Sequence, residues 1–330
     1  MDNSRLAQME PPPYPIRTVQ FGEGNFLRAF ADWMLEIVNE KTDWNGSVVM
    51  VKSTGHGSLS ALKGQDCVYT VALRGLENGA PVERFCTVTC VSDALACPAE
   101  YDRVLALAKL PELRFVLSNT TEAGIAWDER DEAADRPPRS FPAKLTQLLY
   151  ARAQAFDYAG NKGLIMLPME LIDDNGGALR TLVVRYAEKW GLGERFLNWL
   201  DESCAFASTL VDRIVTGKPA DADALCAKLG VQDDCLVAAE PYMSWVIACD
   251  REIEEELPLQ KAGLPVIYAQ DLAPYRTRKV RLLNGAHTSF VPAAYLAGFD
   301  IVRDAVLDPD FGRFIRKTLE KEILPTIDQP

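Results

Sequence analysis

Lys279, Asn284 and His287 fall close together in Pro274-Tyr275-Arg276-Thr277-Arg278-Lys279-Val280-Arg281-Leu282-Leu283-Asn284-Gly285-Ala286-His287. These residue types suit the reduction of a ketone. Hydride addition leaves negative charge on the carbonyl oxygen; a lysine can deliver the proton, an amide can hold the oxyanion and a histidine can orient a neighbouring hydroxyl. Pro274 suits the first turn of a helix, and on a regular helix with Lys279 at 0°, His287 lies at about 80° and Asn284 at about 140°. All three then share one face. A basic helix face with a histidine turned into the core would contain the same residues, so the spacing leaves both readings open.

A second set of residues suits phosphate binding. Phe21 ends the strand-like run IRTVQF, Gly22 and Gly24 follow it, and Asn25 and Phe26 open the helical run NFLRAFADWMLEIVNE. Glycines at such a turn let backbone amides approach a pyrophosphate at a helix N-terminus. Leu27 stands where a third glycine is usual, and a plain strand-to-helix turn is the alternative. The second strand, SVVMVKS, ends in Val51-Lys52-Ser53-Thr54 with no acid to bond a ribose 2′-hydroxyl. Lys52 would meet a 2′-phosphate or be a solvated strand end, so these residues leave NAD against NADP open. Thr120, Thr121 and Glu122 end the later run LSNTTEAG, at the strand ends that face a nicotinamide or in a simple loop.

The elements that must position these groups alternate strand and helix from Tyr14 onward, which predicts an α/β fold with a mostly parallel sheet. VYTVALRG and VERFCTVTCV form an expected hairpin across Glu77-Asn78-Gly79, and LRFVLSNT, GLIMLPMEL and LPVIYAQD extend the same scheme. FPAKLTQLLYARAQAF and LRTLVVRYAEKWG are expected helices, and DERDEAADRPPRS is an expected polar surface loop. Beyond LPVIYAQD only helical patterns follow. The expected organisation is a flexible tail over residues 1–13, a nucleotide-binding domain over 14–272 and the start of a helical domain over 273–330, with the chain reading as cut short.

Composition limits the possible partners. Forty-seven acids against 35 bases give a net charge of −12 over 330 residues, which disfavours nucleic acid and anionic membrane surfaces. No apolar run approaches the ~18 residues of a membrane span, and MDNSRLAQMEPPPYP lacks a signal-peptide core, so the expected location is the cytoplasm. Eight cysteines without a C-x-x-C pair, and only His56 and His287 as histidines, predict buried thiols and no metal site.

Two motifs occur in a known order: G-x-G-x-F-x-R at Gly22, Gly24, Phe26 and Arg28, and Lys-x4-Asn-x2-His at Lys279, Asn284 and His287. Together with FGEGNFLRAFADWM, LSNTTEAGI, MELIDDNGGAL, LVDRIVTG, EPYMSWVI and DLAPYRTRKVRLLNGAHTSFVPAAYLAG, they make the chain from about Val19 onward resemble the polyol-specific long-chain dehydrogenase/reductase (mannitol dehydrogenase) family, most of all its keto-uronate branch. The resemblance implies a Rossmann-type domain followed by a mainly helical one. It also implies an NAD-linked, metal-independent enzyme interconverting a keto-uronate and an aldonate. A mannitol-type or fructuronate-type dehydrogenase and a non-catalytic nucleotide-binding module are the rival readings. Under the resemblance Lys279 is the general acid/base, Asn284 and Asn175 form the oxyanion hole, His287 binds a substrate hydroxyl and Asp212 lies close to the lysine. An anionic uronate in an acidic protein needs local positive charge. Of the three nearby arginines, only Arg276, at about 60° on the wheel, falls on the face of Lys279; Arg281 and Arg278 fall at about 200° and 260°.

Overall fold

The computed structural model describes residues 12–53, 57–121 and 123–327. The chain divides into two units, residues 1–270 and 271–330.

The first unit is built on thirteen short strands among the described residues: β1 (Ile16–Phe21), β2 (Ser47–Lys52), β3 (Tyr69–Glu77), β4 (Ala80–Val88), β5 (Val91–Ala96), β6 (Phe115–Ser118), β7 (Ile165–Pro168), β8 (Ala205–Phe206), β9 (Ser208–Asp212), β10 (Val215–Gly217), β11 (Val237–Ala239), β12 (Ser244–Ala248) and β13 (Val266–Ala269). Six form a parallel sheet in the order β5-β2-β1-β6-β7-β8. Continuous apolar runs such as Val48–Val51 suit such a sheet because both faces are covered. Phe30, Met34 and Val38 of the helix after β1 pack on one face, and Leu145, Leu148, Val183 and Trp199 pack on the other. From β1 the chain runs outward to β2 and β5, then returns to β6 on the other side. The strand order therefore reverses between β1 and β6, and the crevice outside their carboxyl ends is where such sheets bind ligands.

The expected hairpin is present. Asn78 and Gly79 take φ of +52° and +78°, as a two-residue primed turn requires, and β3 pairs antiparallel with β4 along its full length. The expectation of one sheet needs correction. β3 and β4 join β10 and β11 in a second sheet, while β13, from LPVIYAQD, pairs with β12 and β9 in a third. The apolar pattern of a strand reports burial and not the identity of its neighbour. Strands β8 to β12 went unforeseen because runs of two to five residues are too short to display a period.

The loop DERDEAADRPPRS is also more than a solvated surface. Asp131 is fully buried within it and accepts the Arg139 and Ser140 amides at 2.5 and 3.0 Å. The eight cysteines are free, with Cys67, Cys90, Cys97, Cys204 and Cys235 buried.

The described residues of the second unit are helical. Ala273–Arg278, Lys279–Asn284 and Gly285–Leu296 run on as one helix, begun by Pro274 and by the Asp271 carboxylate accepting the Ala273 amide at 2.8 Å. Asp308 caps the Pro309–Thr318 helix by accepting the Asp310 and Phe311 amides at 3.0 and 2.8 Å. Phe290, Ala294, Ala305 and Ile315 form the small core. Among the described residues, no helix is long and apolar enough to cross a membrane.

Candidate active site

The crevice at the β1/β6 switch is shaped by Gly22. It leaves β1 at φ +131°, and a Cβ there would stand 2.8 Å from Leu27 Cδ1 and 3.3 Å from the Asn119 carbonyl oxygen. Only glycine fits. Leu27, where a third glycine is usual, is buried and packs beneath this turn, so helix and strand approach without it. Gly24 is extended, and a Cβ there would meet nothing within 4 Å, which leaves the loop open to an incoming phosphate. Asn25 opens the helix and accepts from Arg28 Nη2 at 2.6 Å. Phe26 stacks on Phe30 with ring centroids 4.9 Å apart. The Phe21 side chain belongs to the core against Phe141, so Phe21 can serve the crevice only through its main chain, whose carbonyl accepts the Asn119 amide at 3.1 Å.

A buried polar network supports this loop and was not anticipated. Gln20 Nε2 donates to the Gly22 carbonyl at 3.1 Å and to Asp32 Oδ2 at 3.3 Å, and the Tyr69 hydroxyl donates to the same Asp32 oxygen at 2.9 Å. Arg28 Nη1 donates to the Cys235 carbonyl at 2.5 Å, with its guanidinium 5.2 Å from the Tyr69 ring centroid. Burial pushes the Asp32 carboxyl up to about 7, against the opposing effects of the Tyr69 and Gln20 hydrogen bonds and the Arg28 charge. The available signal was Gln20 inside an apolar strand and Asp32 on an apolar helix stripe.

Lys52 is 4% exposed, so it is not a solvated strand end. Beside it Ser53 lines a cavity of about 300 Å³ with Thr120, Trp127, Phe141 and Lys144, at the carboxyl ends of β2 and β6. Thr120 donates through its amide and hydroxyl to Glu170, and Thr121 follows at φ +76°. Glu122 and His56 lie outside the described residues.

Asn175 opens the Asn175–Lys189 helix behind Asp174, which takes φ +45° and caps the Gly177 amide. Its side chain is buried. Nδ2 lies within donating distance of the carbonyls of Pro168 and Glu170, both at 3.0 Å, and of Thr209 at 3.1 Å, while Oδ1 accepts the Thr209 amide at 2.8 Å. Three carbonyls thus compete for two hydrogens. Asp212 ends β9, three residues beyond Thr209, so Asn175 is clamped to the strand that carries Asp212.

In the second unit, the expectation of a regular helix from Tyr275 to His287 is corrected. Lys279–Asn284 form a π turn, in which the Gly285 amide donates to the Val280 carbonyl five residues back. The turn absorbs one extra residue, so every later side chain falls about 100° behind its regular-helix position. With Lys279 at 0°, Asn284 moves to about 40° and His287 to about −20°, while Arg276, ahead of the turn, stays at about 60°. The four side chains span about 80° instead of about 140°. His287 Nδ1 donates to the Leu283 carbonyl at 2.8 Å, so Nε2 is the ring nitrogen not engaged by that bond. Arg278 lies with its guanidinium 5.5 Å from the Tyr275 ring.

A parallel sheet with a glycine turn at its switch point, followed by a helical unit bearing Lys279, Asn284 and His287, is matched by two families in sequence. The mannitol dehydrogenase Rossmann domain family matches residues 16–261 and the mannitol dehydrogenase C-terminal domain family matches residues 271–330, so the chain belongs to the mannitol dehydrogenase family. Within it, the chain is 47% identical over 315 residues to altronate oxidoreductase of Bacillus subtilis (strain 168), covering 95% of this chain and 66% of that protein. It is 48% identical over 319 residues to altronate oxidoreductase of Yersinia enterocolitica, covering 96% and 66%. The chain therefore spans a little under two-thirds of the length of these relatives. Among solved structures, substrate-free D-sorbitol dehydrogenase superposes with a TM-score of 0.79 at 26% identity, covering 97% of this chain and 68% of that one. Pseudomonas fluorescens mannitol 2-dehydrogenase, in a ternary complex with NAD and D-mannitol, superposes equally well at 21% identity, covering 98% and 66%, a likeness of fold.

Proposed function

We propose that the protein is an altronate oxidoreductase, interconverting the keto-uronate tagaturonate and the aldonate altronate with NAD. The reading is carried by one observation: a dinucleotide-shaped crevice in the first unit accompanies, in the second, a helix whose π turn gathers Lys279, Asn284 and His287. The names of its relatives support the substrate, and Gly22, whose backbone conformation strains any residue with a Cβ, fits a close approach to a pyrophosphate. NAD, when bound, supplies or accepts the hydride.

In the reductive direction Lys279 gives its proton to the carbonyl oxygen as charge develops there, and in the oxidative direction it takes the proton back. Asn284 donates a hydrogen bond to that oxygen and holds the developing charge. His287, with Nδ1 committed to Leu283, presents Nε2 to the hydrogen of a substrate hydroxyl. Arg276 offers a planar fork to the carboxylate. Asn175 remains part of the proposal as an amide donor, one of its three carbonyl partners giving way to a substrate oxygen, and Asp212 as a carboxylate needed for turnover. Thr120, Thr121, Asn25 and Phe26 are proposed to border the cofactor.

Following NADH absorbance with tagaturonate, fructuronate and fructose as separate substrates tests the reading. Oxidation of NADH should be fastest with tagaturonate. Faster reduction of the uncharged ketose would replace it with a mannitol-type dehydrogenase, and NADH binding without turnover of any of the three would reduce the protein to a nucleotide-binding module.

A further inference from the structure

We propose that Glu170 is a positioning residue that holds residues 118–121 in the shape that seats the dinucleotide, an inference that rests on the crevice being a dinucleotide site. Glu170 is 2% exposed. Burying a carboxylate is costly unless donors surround it. Its three donors all come from the end of β6: Ser118 Oγ donates to Oε2 at 3.0 Å, and the Thr120 amide and hydroxyl donate to Oε1 at 2.9 and 2.8 Å. The backbone that carries Glu170 is held in turn, since the Met169 amide donates to the Ser118 carbonyl at 2.8 Å and the Glu170 carbonyl accepts from Asn175 Nδ2 at 3.0 Å. Both oxygens are engaged by donors of the segment they hold.

The shape it holds is strained and adjoins the glycine turn. Thr121, a β-branched residue at φ +76°, persists in that region only where its neighbours over-determine it. Glu170 fixes the residue before it, and the Gly124 amide, donating to the Thr121 carbonyl at 2.9 Å, fixes the residue itself. Gly124 in turn lies against the Thr120 side chain, with no room for a Cβ. On the other side, the Asn119 carbonyl stands 3.3 Å from where a Cβ on Gly22 would be. The path of residues 118–121 therefore sets one wall of the crevice opposite the glycine turn, and the Glu170 carboxylate sets that path.

Three donors call for an acceptor at each oxygen. Glutamine keeps one acceptor for Thr120 and turns its amide toward Ser118, whose hydroxyl can rotate to accept, so Glu170→Gln preserves the segment. Methionine removes every bond at similar length.

The test is the NADH dissociation constant of the unaltered protein, Glu170→Gln and Glu170→Met, read by NADH fluorescence, with a melting temperature for each. Glu170→Met should raise the dissociation constant about 10–100-fold, from the lost pre-ordering by charge-assisted bonds, and Glu170→Gln should stay within about 3-fold. A purely structural role would lower the melting temperatures and leave the affinity of the folded variants unchanged, and that result overturns the inference. So does a Glu170→Gln affinity as weak as that of Glu170→Met. Should Glu170→Met fail to fold, Ser118→Ala removes one bond from the opposite side and should weaken NADH several-fold, with unchanged affinity again overturning the inference. Absence of NADH binding by the unaltered protein would overturn the dinucleotide reading itself.

Discussion

Replacing Asp32 with asparagine should flatten the dependence of stability on pH. In the folded protein burial raises this carboxyl to about 7, whereas its ordinary value is 3.8. Between those values the native state holds a proton that the unfolded chain has released. Stability contributed by Asp32 is therefore fully present at low pH and is lost as pH rises toward 7, at about 1.4 kcal/mol per unit. From about pH 5 to about pH 8 the loss covers two units of that window, or about 2–3 kcal/mol. The groups around it do not abolish the effect: Tyr69, Gln20 and Arg28 favour the charged form, Glu36 opposes it, and burial outweighs them all. Asparagine keeps an acceptor for Tyr69 and Gln20 and brings a donor to a place where Asp32 Oδ1 and Gln20 Oε1 have no partner among the described residues. Urea unfolding followed by tryptophan fluorescence at both pH values, at constant salt, gives the two slopes. The loss of stability from about pH 5 to about pH 8 should be smaller in the variant by about 2–3 kcal/mol. Equal pH dependence in the two proteins would mean that Asp32 does not hold its proton in the folded state.

Gly22→Ala should lower stability by about 1–3 kcal/mol from backbone strain alone and weaken NADH binding at least 10-fold; normal affinity would show that the crevice is not used as described. Arg276→Met should reduce kcat/KM for tagaturonate about 10–150-fold and hardly change any activity on fructose, whereas Arg278→Met, whose side chain lies against Tyr275, should do much less. Equal losses on the charged and neutral substrates would remove Arg276 from carboxylate recognition. NADH should outperform NADPH in kcat/KM, because buried Lys52 does not present an open cation at the strand end; a clear NADPH preference would contradict this.

The fold was legible where a pattern repeats. The β1-helix-β2 unit and the Asn78-Gly79 turn follow from alternation and from backbone angles that few residues tolerate. Sheet membership was not legible, because Val266–Ala269 would read the same beside β1 or beside β12. At the candidate site, Gly22 stood out through residue type and its place after β1, whereas Lys279 was a candidate by residue type and took its proposed role from the family resemblance. The π turn was not, since nothing in the run Lys279–Asn284 departs from an ordinary helical pattern and an extra residue per turn leaves no mark in composition. Glu170 was hidden for a related reason. Its role lies in hydrogen bonds to Ser118 and Thr120, about fifty positions earlier, and a single sequence carries no record of such a pairing. Asn175 entered only through the family resemblance, and its clamp on Thr209 emerges only once β7 and β9 are in place.

Proton transfer by Lys279 in an NADH-dependent reduction of a keto-uronate, as proposed, is tested most directly by turnover of tagaturonate by Lys279→Ala with NADH affinity measured in the same preparation. Lys279→Ala should lose about 10²–10⁴-fold in kcat with the NADH dissociation constant nearly unchanged, since the lysine belongs to the second unit and the glycine turn to the first. Near-normal kcat in the variant would contradict it.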